Sequence, residues 1–461
     1  MGKKRLAWPD VAKGVSILGV IVLHVCLAVP GGMDTLLARA NSVMDPLRMP
    51  LFFLVSGFFS AKILDYSLTE LFVRRLWFFL VPYAVWVPVE IKLKFIEFKL
   101  VFDADSVGAD EILWRMLIGA NLAWFLWALV LFNLVLWSLR KLPPPVAIAA
   151  SFAPLLLLPW HDKIPIVGML ILYLPFFVGG LHLRGPISRF AATATSVTRW
   201  LPAAMGFFLG VVLVKLFAQV DPDRVALPWI LPGMDAIGHY EAALLVRLSR
   251  ELLSLPLAIV VAVAITHLPH LSNDLQFVGR HTLPMYIGHP IGMTLGYHLV
   301  RYALDDAGPQ STTFWLAYAI LIALVSGWLF HLLSKVPVLG WTLTPPSLAR
   351  PQPAVGTEAH AENRDHTFNT APPTQPGPPN STISPNSRVI SELTIPSPML
   401  DAENRDHAFN TAPPTQPGPP NSTISPNSRV ISELTIPSPM LDAENRDHTL
   451  ATALPNAART P

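Results

Sequence analysis

The sequence predicts an all-α polytopic membrane protein of about ten transmembrane helices, followed by a disordered tail. Three observations carry that prediction. Of the 461 residues 52% are hydrophobic and only 14% charged, with a positive mean hydropathy, a composition that belongs to the membrane class. The apolar residues gather in runs long enough, or nearly so, to cross a bilayer. After Trp341 the composition then changes abruptly to Pro, Ser, Thr and Asn.

The runs fall at about 11–29, 48–64, 71–90, 123–139, 145–160, 164–182, 201–218, 250–267, 282–302 and 313–333. Lys and Arg in short connections set the orientation. With the amino terminus in the cytoplasm, Lys3, Lys4 and Arg5, then Lys62, Arg74 and Arg75, then Arg140 and Lys141, then Arg184, Arg189 and Arg199 fall on that side. The opposite side receives two longer connections, about 91–122 and 219–249, where basic residues mix with Asp and Glu. An even number of spans returns the tail to the cytoplasm. The predicted location is the inner (plasma) membrane. The fifth and sixth runs are joined only by His161, Asp162 and Lys163; if one is re-entrant, the tail changes sides.

The transmembrane part is assigned to residues 1–340 and the tail to 341–461. The tail repeats itself with a period of 41: a copy at 361–401, a second at 402–442 with Ala408 in place of Thr367, and a third that stops at 443–448. A period near 40 suits a solenoid or propeller blade. Proline density and missing apolar periodicity argue for disorder instead, because such a segment buries too little surface to offset its ordering entropy. It is read as inert or as a docking or phosphorylatable linker.

Composition also excludes. A net charge of +2, with no basic run interleaved with aromatics, leaves nothing for nucleic acid to bind. A single cysteine, Cys26, excludes an intramolecular disulfide framework and a cysteine-rich metal site. No zinc or magnesium site is expected, since the histidines and the few buried carboxylates lack ligand spacing on one helix. Met1 to Arg5 before an apolar run resembles a signal peptide, but the run is long and no small-residue cleavage site follows. It is read as a retained first span.

Chemistry gathers around that first span. Lys13 and His24 are eleven residues apart, roughly three helical turns, so they share one face about 16 Å apart. An ionisable side chain inside a span points to function. Asp10, three residues before Lys13, either orients the ammonium or caps the helix. In the second run, Pro50 to Phe59 reads PLFFLVSGFF; Ser56 and Gly57 either let another helix approach closely or present a hydroxyl to a ligand. Arg74 and Arg75, with Pro82 following, suit bidentate contact with phosphate or anchor lipid head groups. In the ninth run, GRHTLPMYIGH places Tyr286 and His289 on one face.

The ordered set of WPDVAKG with His24, PLFFLVSGFF, Arg74-Arg75 with Pro82, Asn121-Leu122-Ala123-Trp124-Phe125-Leu126, LPFFVGG around Pro175 to Gly180, and GRHTLPMYIGH resembles the acyltransferase 3 family of bacterial integral membrane acyltransferases. Its fucose 4-O-acetylase-like branch is the nearest in style, over about residues 6–335. The resemblance implies O-acetylation of an extracytoplasmic glycan or glycolipid, with acetyl-CoA as cytoplasmic donor. It places Lys13 and His24 on the family's pair of a basic residue and a histidine eleven positions later. Phe52, Phe53, Ser56 and Gly57 fall on its FFxxSG motif, and Tyr286 and His289 on its Tyr-x-x-His motif. The family's arginines are usually three apart, whereas here they are adjacent, so which one faces the donor is left open.

On that reading Lys13, Arg74 and Arg75, with Asp10 steadying Lys13, hold the donor. His24 is the base, acting directly or through an acetyl-histidine. Tyr286 or Ser56 donates to the oxyanion, and His289 orients the acceptor or supports His24. Membrane lipids surround the spans, and nothing in the sequence fixes the oligomeric state. A transporter or flippase for an envelope precursor is the competing expectation, and a scaffold with a recruiting tail the third.

Overall fold

The computed structural model describes residues 6–102, 108–161, 163–229, 236–304 and 311–348; the repeat tail lies outside the described residues. Among them the regular elements are helical, apart from one isolated bridge between Leu227 and Ile237. In chain order the α-helices are α1 (Trp8–Ala28), α2 (Leu36–Phe58), α3 (Leu68–Leu71), α4 (Trp77–Phe102), α5 (Ala109–Ile118), α6 (Trp124–Ser138), α7 (Pro144–Ala150), α8 (Pro165–His182), α9 (Arg184–Ala192), α10 (Val197–Phe217), α11 (His239–Ile265), α12 (Pro269–Arg280), α13 (Thr282–Gly292), α14 (Leu299–Leu304) and α15 (Thr312–Leu333). One π-helical turn, Phe72–Leu76, joins α3 to α4, and another, Met293–His298, joins α13 to α14.

Seven of the described helices are long and apolar enough to cross a membrane: Trp8–Ala28, Leu68–Lys99, Trp124–Lys141, Pro165–His182, Val197–Phe217, His239–Ile265 and Thr312–Leu333. The other three expected spans differ for identifiable reasons. The second is α2, which begins twelve residues before position 48 and carries Arg39, Asp45 and Arg48 inside the helix. The fifth is the short α7 followed by a 3-10 stretch, Ala153–Trp160; Pro154 and Pro159 remove donors that an α-helix would need. The ninth breaks at Gly292 into a π turn. The expected connection at 91–122 contains the end of α4 and all of α5, and α11 starts inside the expected connection at 219–249.

The opening helix lies at the centre, with α2, α11, α12, α13 and α15 packed around it. Pro9 sits in its first turn, where a missing N–H is harmless. It ends at Val29, because Pro30 disfavours helical geometry in the residue before it and Gly31 adopts φ +70°. In a bilayer apolar burial does not drive helices together, so close backbone approach and dispersion do. Two pairs of glycines provide that approach. A Cβ on Gly279 of α12 would overlap the Asp10 carbonyl, and one on Gly14 would overlap Leu275. Likewise a Cβ on Gly57 would overlap the Phe177 carbonyl, and one on Gly180 the Leu54 carbonyl. The Ser-Gly and Phe-Val-Gly-Gly motifs are therefore the two halves of the α2–α8 contact.

Beside that contact Phe53, wholly buried, stacks on Tyr173 at 5.1 Å and meets Phe132 at 5.0 Å and Phe125 at 5.8 Å. Aromatic pairs of this kind add about 0.5–1.5 kcal/mol each beyond area burial. Gly57→Val is expected to force α2 and α8 apart and to lower stability by about 2–3 kcal/mol. Unfolding in detergent, compared with Gly185→Ala at an open position where nothing lies within 4 Å, measures the difference.

Candidate active site

The two histidines placed on separate spans meet. His24 Nδ1 lies 2.7 Å from His289 Nε2, with ring centroids 5.0 Å apart and planes 16° apart. His289 is wholly buried, and His24 is partly exposed. The His289 Nδ1 stands 3.3 Å from the Met285 carbonyl oxygen. A carbonyl only accepts, so this contact assigns the proton to His289 Nδ1 and leaves Nε2 of the neutral ring as an acceptor. The bond between the rings must then run from His24 Nδ1–H to His289 Nε2. That tautomer puts the lone pair of His24 on Nε2.

What aims His289 at α1 is the packing of α13 on α15. Met285, Gly288 and Gly292 form one stripe of α13, against Ser326 and Gly327, and Ser326 Oγ donates to the Gly288 carbonyl at 2.7 Å. Tyr286 and His289 occupy the adjoining stripe, about 100° round the helix. The Tyr286 ring is 5.6 Å from His289, and its hydroxyl donates to the Leu122 carbonyl. The Asn-Leu-Ala-Trp-Phe-Leu segment is thereby tied to α13, and Phe125 rests edge-on against the Tyr286 ring at 5.4 Å.

Lys13 lies at the other end of α1. Its ammonium stands 6.0 Å from the Phe52 ring centroid and 5.6 Å from that of Phe59, a cation–π setting. The Arg184 guanidinium lies 5.1 Å from the centroid of Phe58. Asp10 is buried, 3.9 Å from Arg280 Nε. Arg75 turns inward within its π turn, giving hydrogen bonds to Ser60 Oγ at 3.1 Å and Asn133 Oδ1 at 3.3 Å. Arg74, one residue earlier, faces outward and pairs with Glu70 at 3.5 Å; π bulges are common where a helix must re-aim a side chain. Ser56 is joined to this end, its carbonyl accepting from Ser60 Oγ at 2.8 Å. The expected site residues therefore form two groups: His24, Tyr286 and His289 at one end of α1, and Asp10, Lys13, Ser56, Arg74 and Arg75 at the other.

A third cluster escaped sequence reasoning. Arg250 Nη2 pairs with Asp45 Oδ2 at 2.6 Å, and Arg48 Nη2 with Asp45 Oδ1 at 3.4 Å. Arg247 reaches Glu251 at 3.0 Å and the Tyr173 hydroxyl at 2.8 Å. Arg48, 2% exposed, also donates to the Gly19 carbonyl at 3.3 Å, and Ser16 Oγ donates to the Arg48 carbonyl at 2.7 Å. The signals were present: Asp and Arg three apart in MDPLRMP, and RLSRE in an otherwise apolar helix. Each reads as the edge of a span until the partner helix is known.

Arg75→Ala is expected to leave Ser60 and Asn133 short of a partner and to destabilise the protein by about 1–3 kcal/mol. Arg74→Ala is expected to leave stability unchanged. Detergent unfolding of the two variants side by side checks the contrast.

Residues 6–331 match the family model for an acyltransferase domain. No curated protein and no solved structure matches the chain. The match embraces the histidine pair and the basic end alike: the chain belongs to the acyltransferase 3 family of acyltransferases.

Proposed function

We propose that this membrane acyltransferase moves an acetyl group from cytoplasmic acetyl-CoA to a hydroxyl of an extracytoplasmic glycan or glycolipid of the cell envelope, with its amino terminus in the cytoplasm. The observation that carries the reading is the ordered chain from the Met285 carbonyl through His289 to His24, which leaves the His24 Nε2 lone pair to act as base.

The basic end supplies the donor site. Lys13, Arg74 and Arg75, with Arg184 and Arg280 nearby, are cations suited to the phosphates and phosphoadenosine of coenzyme A, and Asp10 is set among them. The acyl arm then runs along α1 for about 16 Å to His24. There His24 Nε2 removes the proton of the acceptor hydroxyl as its oxygen bonds to the thioester carbonyl carbon. Collapse of the tetrahedral adduct breaks the carbon–sulfur bond, and the proton passes from His24 to the departing thiolate. The imidazolium formed in between is stabilised by His289 Nε2, which accepts from His24 Nδ1–H throughout. Tyr286 acts as a positioning residue, because its one hydroxyl proton is held by Leu122. Ser56, among the donor-site residues, lines the path of the arm.

His24→Ala is expected to abolish transfer of label from acetyl-CoA while the protein stays folded in the membrane; acetylation at the ordinary rate would end the base assignment. His289→Gln is expected to lower kcat by about 10²–10⁴ with the KM for donor unchanged. Arg74→Ala is expected to raise the KM for acetyl-CoA more than it lowers kcat. Steady-state kinetics on the purified full chain separates these cases.

A further inference from the structure

The expected connection at 91–122 returns to the depth of the spans. The start of α6 lies level with the early part of α4, where Trp127 stacks on Tyr83 at 6.0 Å. The end of α5 meets it there: the Tyr83 hydroxyl donates to the Met116 carbonyl at 2.6 Å, and the Arg115 guanidinium lies 4.9 Å from the Phe95 ring centroid. Tyr83 and Phe95 both belong to the span Leu68–Lys99. At ten residues, about 15 Å, α5 is half as long as a bilayer core requires. Between α5 and α6 the backbone leaves helical geometry at Gly119, φ +74°, and resumes it at Trp124. Irregular backbone is tolerated within hydrocarbon only where protein meets its polar groups. The break satisfies that condition with side chains. The Arg115 carbonyl accepts from Asn121 Nδ2 at 3.3 Å, Met116 from Tyr83, Leu117 from Trp127 Nε1 at 3.1 Å and Leu122 from the Tyr286 hydroxyl.

The helix is also inside out. Arg115 is buried against Phe95 and pairs with Glu111 at 2.7 Å, whereas Leu113, Trp114 and Leu117 form a stripe on the outer face, 57%, 55% and 53% exposed. We propose that α5 is a re-entrant half-span whose stripe of Leu113, Trp114 and Leu117 is seated in the acyl chains of the leaflet opposite Lys13 and Arg75. Depth and polarity together select that partner. A surface of three large apolar side chains marks an interaction face, and at the level of a span, with the charges of its own helix turned inward, hydrocarbon is the medium that fits it. The seat bears on the histidine pair, because the break it carries to depth presents the Leu122 carbonyl to Tyr286, which touches His289. The inference does not depend on which acyl donor or acceptor the protein uses.

The test places a nitroxide spin label on the full chain in nanodiscs, in the separate variants Asp110→Cys, Leu113→Cys and Leu117→Cys. The one native cysteine, Cys26, is buried, and the unsubstituted chain serves as the blank. Phe208→Cys, at an exposed position of the span Val197–Phe217, is the lipid reference, and Arg224→Cys, between α10 and α11, is the water reference. Relaxation of each label by molecular oxygen, which concentrates in hydrocarbon, is compared with relaxation by a water-soluble nickel chelate. The oxygen-to-nickel ratio at Leu113 and Leu117 is expected to exceed that at Arg224 by about ten-fold and to approach that at Phe208, as befits a site within the bilayer core. It is expected to rise from 110 through 113 to 117, since α5 descends from Ala109 to Ile118. Nickel access equal to that at Arg224 would put the stripe in water. Shielding from both reagents would put a protein surface over it, a second copy included, and equal ratios at the three positions would lay α5 flat on the membrane. Each of these three results overturns the proposal. Should one variant not fold, the other two positions on α5 still carry the gradient and the comparison with the references.

Discussion

The hydrogen bond between His24 and His289 joins α1 to α13 across 265 positions of sequence, and the acid–base character of the pair depends on which way its proton points. An imidazole is ambiguous by itself, since either nitrogen can carry the hydrogen. The ambiguity is removed by a backbone carbonyl, Met285, one turn before His289. Fixing the outer proton fixes the next one, and the basic lone pair is left on the far nitrogen of His24. A carboxylate in the place of the carbonyl would stabilise the imidazolium more strongly, yet it would add a charge in a bilayer, where an isolated charge is costly. A carbonyl orients without that cost.

Much of this was legible in the sequence. The spacing from Lys13 to His24 placed both on one face of one helix, and the spacing from Tyr286 to His289 did the same for another. The family resemblance ran through the same residues that the fold brings together in two groups. Helix pairing was not legible. Nothing in the chain says that Gly57 faces Phe177, or that Asp45 meets Arg250 from 205 positions away, because periodicity reports which face is apolar and not which helix covers it. For the same reason Arg39, Asp45 and Arg247 fell outside the predicted runs, and Arg48, Arg250 and Glu251 at their edges. Hydropathy counts each charge as exposed, whereas Asp45, Arg48 and Arg250 are paired within and between neighbouring helices.

The adjacent arginines show how a departure from a family pattern can be absorbed locally. On a regular helix neighbours diverge by about 100°, and residues three apart nearly align. Here the π turn at Phe72–Leu76 carries both arginines and divides their duties. Arg75 is held inside by Ser60 and Asn133, while Arg74 stays partly exposed beside Glu70. One guanidinium fixes the start of α4, and the other is left at the surface.

A single helix can serve two ends of a site only if its rotation is held along its length. Lys13 and His24 differ by about 20° around α1, so a modest twist would carry one of them away from its partners. The first end is held by Gly14 and Gly279 at the α12 contact, and the second by His289. The midpoint is held by the buried ion network, because Arg48 grips the Gly19 carbonyl and receives the Ser16 hydroxyl on its own. Burying charge is a poor source of stability, but removing one partner of such a pair is severe, which makes the network a stiff constraint. Arg250 ties Arg48 and Asp45 to α11 and Arg247 ties α11 to Tyr173 on α8. Four helices thus share one polar lock at the middle of α1, between Lys13 and His24.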